Sequence, residues 1–198
     1  MYSIEKVDMR IKYTREWTFE SLSKLLETKK YDDINISEII KKAGISRATF
    51  YRNFSTKDDI IKVKVRTFFE SFYNDIIVSF KQADPEDEIF LISSFFKHID
   101  QEERFVETVI KAKLDYLMVE GILALINMHK DQFYAIVKSN KRADEYTMEI
   151  VASSAWTLLS KWHRSGKIET PQELSTIYST AYKSVYIALF GDKSELNK

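Results

Sequence analysis

The chain has 198 residues, 44% hydrophobic and 30% charged, with 30 Lys/Arg against 30 Asp/Glu. That apolar content is enough for a real core and excludes a disordered tail, while 0 Cys excludes disulfides, cysteine nucleophiles and thiolate metal sites. The charges are unevenly spread: residues 1–66 hold 15 Lys/Arg and 10 Asp/Glu, the remainder 15 and 20, so only the N-terminal third suits a polyanion.

Taken in chain order, the elements are helices. Only 4 Gly and 2 Pro interrupt the chain, which argues against a many-turned β fold and against a Gly-rich phosphate loop. Trp17, Leu22, Leu25 and Leu26 form the apolar stripe of a first helix over about 14–28. Tyr31-Asp32-Asp33 interrupts it. Asn35-Ile36-Ser37-Glu38 reads as a capping box opening a short helix that Gly44 stops, and Ser46 caps a third helix to about Asn53. Thr56-Lys57-Asp58-Asp59 opens a long helix with Ile60, Ile61, Val65, Phe68, Phe69, Phe72 and Ile76 inward.

The rest repeats this grammar. Asp84-Pro85-Glu86-Asp87 opens a fifth helix, with Pro at N1 where its missing N–H costs nothing. Asp100-Gln101-Glu102-Glu103 opens a sixth, ending near Ala112. Lys113 to about Lys138 reads as one helix bent at Gly121, and Lys141 to about Ser165 as another, closed by Gly166. Thr170-Pro171-Gln172-Glu173 opens the last, closed by Gly191. This last segment is rich in strand-favouring residues, but Leu174, Ile177, Tyr178, Ala181, Tyr182, Val185, Ala188 and Leu189 recur at three and four, the helical period. The expectation is an all-α chain of about nine helices. No apolar run approaches a membrane span, and residues 1–15 lack a signal-peptide core, so we expect a cytoplasmic protein that meets no membrane.

Residues 35–54, NISEIIKKAGISRATFYRNF, carry the function. They spell helix, tight turn, helix, with Ile36, Ile39, Ile40, Ala43, Ile45, Phe50 and Phe54 inward. The second helix presents Ser46, Arg47, Thr49, Tyr51, Arg52 and Asn53, all donors or cations and none acidic. Such a face suits the phosphate-lined groove of duplex DNA. An Arg near the helix N-terminus, here Arg47, is placed for a bidentate contact with guanine.

Residues 14–65 resemble the N-terminal domain of TetR-type transcriptional regulators. The resemblance rests on the order of pieces: the first amphipathic helix, then Ile34 to Ile39, Lys42-Ala43-Gly44-Ile45-Ser46, Thr49 to Phe54, and Ser55 to Ile61. Two departures are mild: Asn53 stands where the family usually has His, and Ile40 where it has Ala. The resemblance implies a three-helix helix-turn-helix DNA-binding domain over 1–57 and a larger helical effector-binding and dimerisation domain over 58–198. It implies that Arg47 and Thr49 read base edges with Ser46. Tyr51, Asn53 and Lys57 would hold phosphates, and Asn35 and Ser37 would touch the backbone. It implies a homodimer on a palindromic operator, controlled by a small-molecule effector and usually acting as a repressor.

For the body, the aromatic residues Phe95, Phe96, Tyr116, Phe133, Tyr146 and Trp156 are expected to line an effector pocket. Trp156, Leu159, Trp162, Ile177, Tyr178, Ala181, Val185 and Leu189 are expected as an exposed apolar seam that a twin chain covers. Two other readings stand beside this one. One is the same DNA-binding head controlled by a protein partner, or acting as an activator. The other is a helical enzyme with an incidental helix-turn-helix, for which no catalytic motif is visible. His98, His129 and His163 fall on separate helices and give no metal site, and Glu86-Asp87-Glu88 and Glu102-Glu103 sit in first turns as dipole partners. No catalytic residue, metal or cofactor is expected.

Overall fold

The computed structural model describes residues 9–80, 90–128 and 141–190. Among these residues there are nine α-helices, one 3-10 turn at Tyr31–Asp33 and no strand. The helices are α1 (Met9–Leu26), α2 (Ile36–Ala43), α3 (Arg47–Asn53), α4 (Asp58–Phe80), α5 (Phe90–Asp100), α6 (Glu103–Ala112), α7 (Tyr116–Met128), α8 (Lys141–Arg164) and α9 (Pro171–Phe190).

The first three helices wrap the start of α4. Phe19, Leu22 and Leu26 of α1 recur at three and four and are buried, as are Ile39 of α2, Phe50 of α3 and Ile60 and Ile61 of α4. Three further contacts lock the entry to α4. Thr56 Oγ1 accepts from the Asp59 N–H at 3.3 Å, and the Asp59 carboxylate accepts from the N–H groups of Ser55 (2.9 Å) and Thr56 (2.8 Å). The buried Tyr31 donates its hydroxyl to Asp58 at 2.6 Å. Burial first, then the hydrogen bond to Asp58, pushes the Tyr31 hydroxyl far above the ordinary phenol range. Lys57 donates to the carbonyls of Tyr31 (2.6 Å) and Ile34 (3.1 Å) and lies 4.3 Å over the Tyr31 ring.

Beyond this head, α4 continues into the body and packs on α5, α6 and α7, while α5 packs on α9 and α7 on α8. Aromatic rings tie the layers together. Phe19 of α1 meets Phe105 of α6 at 6.2 Å, and Phe105 meets Phe68 of α4 at 5.1 Å. Phe68 leads to Phe72 and Phe95, Phe95 to Phe96, and Phe96 to Tyr178 of α9 at 6.0 Å. One continuous core therefore runs from the head to the last helix.

Several expectations need correction. The first helix begins at Met9, well before 14. Asp100 ends α5 instead of capping α6, because its carboxylate is engaged by Lys167 Nζ at 3.0 Å. Lys113 does not begin a long helix: it adopts φ 58°, closes α6 in a left-handed turn, and a new helix starts at Tyr116. Gly121 lies inside α7, where a Cβ would stand 2.0 Å from Cε2 of Phe69, so its role is close approach of α4. The box at Asp84 to Asp87, the stretch 129–138 and the stop at Gly191 lie outside the described residues. The Thr170 box is present, with Glu173 N–H on Thr170 Oγ1 at 3.2 Å and Thr170 N–H on Glu173 at 2.8 Å.

Tyr31→Phe strips the partly buried Asp58 carboxylate of its short donor, and such bonds to charged groups contribute about 1.5–3 kcal/mol. Urea unfolding of the variant is expected to show a loss in that range; an unchanged midpoint contradicts it.

Candidate nucleic-acid interface

The helix-turn-helix is built from side chains that cap and a glycine that turns. Asn35 Oδ1 accepts from the Glu38 N–H at 3.0 Å, and Glu38 accepts from the Asn35 N–H at 3.2 Å, a complete capping box. Glu38 also accepts from Lys29, and that bond, with the Asn35 N–H, holds its carboxyl below the usual carboxylate range. Gly44 ends α2 at φ 65° and ψ 29°, the left-handed region, with its N–H on the Ile40 and Lys41 carbonyls. No atom comes within 4 Å of a Cβ built there, so only the backbone demands glycine. Ser46 Oγ then caps α3, accepting from the Thr49 N–H at 3.0 Å.

The turn leaves Phe50 fully buried and edge-on to Tyr51. The exposed surface of α3 carries Arg47, Tyr51 and Arg52, and Lys41 and Lys42 at the end of α2 are exposed as well. None of these four cations has an ion-pair partner among the described residues, and α3 contains no acid. The one acid of α2, Glu38, is held by Lys29. The surface is thus a patch of uncompensated positive charge about a short rigid helix. Lys41 and Lys42 were not singled out from sequence, and Arg52 was read on the outer helix face without a site role. Their signal is that they are charged positions on the two helices that stay out of the core Ile39 and Phe50 enter.

The expected site residues divide into two groups. Asn35, Ser37, Ser46, Arg47 and Tyr51 are exposed; Thr49 and Asn53 are half-buried. Ser46 and Thr49 bond each other at 2.9 Å, and Asn53 Nδ2 donates to the Thr49 carbonyl at 2.9 Å, so these three side chains also serve the helix itself. Lys57 departs furthest from expectation. Two of its three protons are committed to backbone carbonyls, which makes it first a tie between the 3-10 turn and α4 and leaves one proton for an anion.

Among the described residues, the aromatic side chains expected to line a pocket do not converge on one cavity. Phe95, Phe96 and Trp156 are packed core, Trp156 donating to Asp115 at 2.9 Å. Tyr146 is 65% exposed, and Phe133 lies outside the described residues. Only Tyr116 borders open space, a cleft of about 650 Å³ between α4 and α7. The seam also needs correction. Trp156, Leu159, Trp162 and Tyr178 are buried by their own chain, Trp162 donating to the Glu169 carbonyl at 2.8 Å and Tyr178 to the Val151 carbonyl at 2.8 Å. Ile177 and Ala181 are exposed; the side chains of Val185 and Leu189 lie outside the described residues. His98 packs against Phe68 and Phe72, His129 lies outside the described residues, and no metal-ligating cluster occurs among the described ones. None of the described helices is long and apolar enough to cross a membrane.

Residues 21–63 match the family model of bacterial regulatory proteins, tetR family. The fold resembles that of Lin0861 from Listeria innocua (TM-score 0.75, 16% identity, 93% of this chain and 97% of that one). It also resembles a TetR-family transcriptional regulator from Syntrophomonas wolfei (TM-score 0.69, 17% identity, 89% and 96%). A third likeness is to the fatty acid degradation regulator FadR from Bacillus halodurans (TM-score 0.59, 14% identity, 88% and 94%). No curated protein matches the sequence.

Because the αL residue at the turn meets open space, its cost is conformational alone. Gly44→Ala is expected to lose about 1–2 kcal/mol, and Gly44→Asn less, since Asn tolerates this region. Equal melting of Ala and Asn variants refutes the backbone explanation.

Proposed function

We propose that the chain is a homodimeric, sequence-specific DNA-binding regulator of the TetR type, a reading supported by the match of residues 21–63 to the tetR family model. It is a repressor released from a near-palindromic operator by a small-molecule effector. The observation that carries the reading is the face of α3 with the end of α2: four exposed cations without ion-pair partners, held on a helix that caps and turn make rigid. α3 enters the major groove. Arg47 and Thr49 meet base edges, with Ser46 beside them. Tyr51, Asn53, Asn35, Ser37 and the third proton of Lys57 meet the sugar-phosphate backbone, joined by Lys41, Lys42 and Arg52. Residues 1–57 form the head and 58–198 the body, in the cytoplasm, where the operator is. No catalysis is assigned to it.

Uncovered apolar side chains support a position for the twin chain. Tyr146 and Ile150 lie one turn apart on α8 at 65% and 61% exposure, and Ile177 and Ala181 lie one turn apart on α9, both exposed. A second copy applied to this face buries them by twofold symmetry and sets the two α3 helices roughly 34–36 Å apart, one turn of duplex.

Two connections carry a signal from body to head. The first is α4, shared by both. The second is a polar seam between α1 and α6. Lys64 bridges Glu16 (3.1 Å) and Glu102 (3.7 Å), Arg104 meets Glu20 (2.7 Å), and Ser23 and Thr108 bond at 2.8 Å; Lys111 reaches the Leu26 carbonyl (3.3 Å). The partly exposed ion pairs of this seam each contribute little and exchange partners at small cost, while the buried Ser23–Thr108 pair and the Phe19–Phe105 rings keep the two helices in register. An effector that prefers the arrangement with misplaced heads shifts the population off DNA.

Selection of duplexes from a genomic library is expected to return a palindrome. Arg47→Ala then loses about 1–3 kcal/mol of discrimination at one base pair in each half-site; unchanged selectivity removes Arg47 from base reading. Ile150→Glu with Ile177→Glu is expected to give a folded monomer by light scattering with weakened operator binding; a persistent dimer places the twofold face elsewhere.

A further inference from the structure

The cleft between α4 and α7 has a volume of about 650 Å³, which suits a small organic molecule. Its floor is apolar. Gly121 lets the Phe69 ring lie directly against the α7 backbone, and that ring is held from behind by Phe68 (5.2 Å, edge-on) and Phe95 (6.1 Å, stacked). Val65 and Leu117 extend the floor, and Tyr73 and Tyr116 add aromatic walls.

The polarity of the cleft has a direction. Lys62 and Arg66 lie one turn apart on α4, so both side chains reach the same rim. Each is ion-paired within its own helix, Lys62 with Asp59 and Arg66 with Glu70, both at 3.7 Å, a separation that leaves their N–H donors without a direct hydrogen bond to those acids. Both cations are about half exposed or more and keep donors for a ligand. Lys62 and Arg66 lie in the first turns of α4, which starts at Asp58, so this charged end faces the head. Glu70 and Glu120 also border the cleft and disfavour a second negative charge on the ligand.

We propose that this cleft binds an amphipathic organic monoanion. Its flat apolar body lies over Phe69 and Leu117, and a single carboxylate or sulfonate bridges Lys62 and Arg66. The inference deepens the effector reading above and rests on it for the consequence: a ligand seated on α4 touches the helix that head and body share.

Two probes of the same shape separate the parts of the claim. 1-Anilinonaphthalene-8-sulfonate is the anion, and N-phenyl-1-naphthylamine is its neutral counterpart. Fluorescence titration of the full chain is expected to show tighter binding of the anion. Ala124→Trp, at an exposed position bordering the cleft, is expected to weaken both probes by about tenfold or more with an unchanged melting curve. Lys62→Ala with Arg66→Ala is expected to weaken the anion by about tenfold and leave the neutral probe within about twofold. Anion binding that Ala124→Trp does not disturb overturns the cleft. Displacement by 1-naphthylmethylammonium at lower concentration than by 1-naphthoate overturns the charge assignment. Duplex binding is read separately: probe binding without duplex binding sinks the regulator and spares the cleft, and the converse result sinks the cleft alone.

Discussion

The constraint on which the molecule depends is that one helix runs through both the head end and the body end of a single core. The first turns of α4 bury Ile60 and Ile61 against α1, in one cluster with Ile39 of α2 and Phe50 of α3, and the next turns bury Phe68, Phe69 and Phe72 against α5, α6 and α7. A straight helix transmits rotation and translation along its axis because its hydrogen-bond ladder does not stretch. The head therefore cannot reorient without either moving the ring cluster around Phe68 or bending α4. The entry to α4 is made stiff by three independent contacts, Tyr31 on Asp58, Lys57 on two carbonyls, and Thr56 with Asp59.

Against this rigid shaft stands a deliberately softer contact. The α1–α6 boundary combines one aromatic contact, Phe19 on Phe105, with ion pairs and a hydroxyl pair. Apolar surfaces in a dense core resist sliding because each displaced side chain loses its packing, while exposed ion pairs exchange partners or water at low cost. Under the proposed regulation, α4 would be the axis and the ion pairs of this boundary the edge that gives.

The helix-turn-helix was legible in sequence because each of its signals is local. A capping box needs residues three apart, the left-handed turn needs one glycine, and the inward isoleucines need only the helical period. Placement of Asn35, Gly44, Ser46 and Phe50 follows from these rules alone. The body was less legible. Lys113 closes α6 in a left-handed turn where the sequence reading began the next helix, and Asp100 leaves its capping role for Lys167, sixty-seven residues away. Trp156, Trp162 and Tyr178 read as an uncovered seam because periodicity marks an apolar face without saying which chain covers it.

The amino-acid order by itself determined the helical class, the helix-turn-helix and its basic outer face. Backbone sterics, capping and a 3.6-residue period act over a few residues and do not depend on partners. Tertiary structure alone decided that Lys57 ties a turn, that Gly121 admits a phenylalanine ring, that Trp156 is core while Ile150 and Ile177 are bare, and that a cleft opens beside α4. These are outcomes of competition for the same space and the same hydrogen-bond partners by segments far apart in the chain. No local rule ranks such competitors, because the winner is set by which packing leaves the fewest voids and the fewest unpaired polar groups.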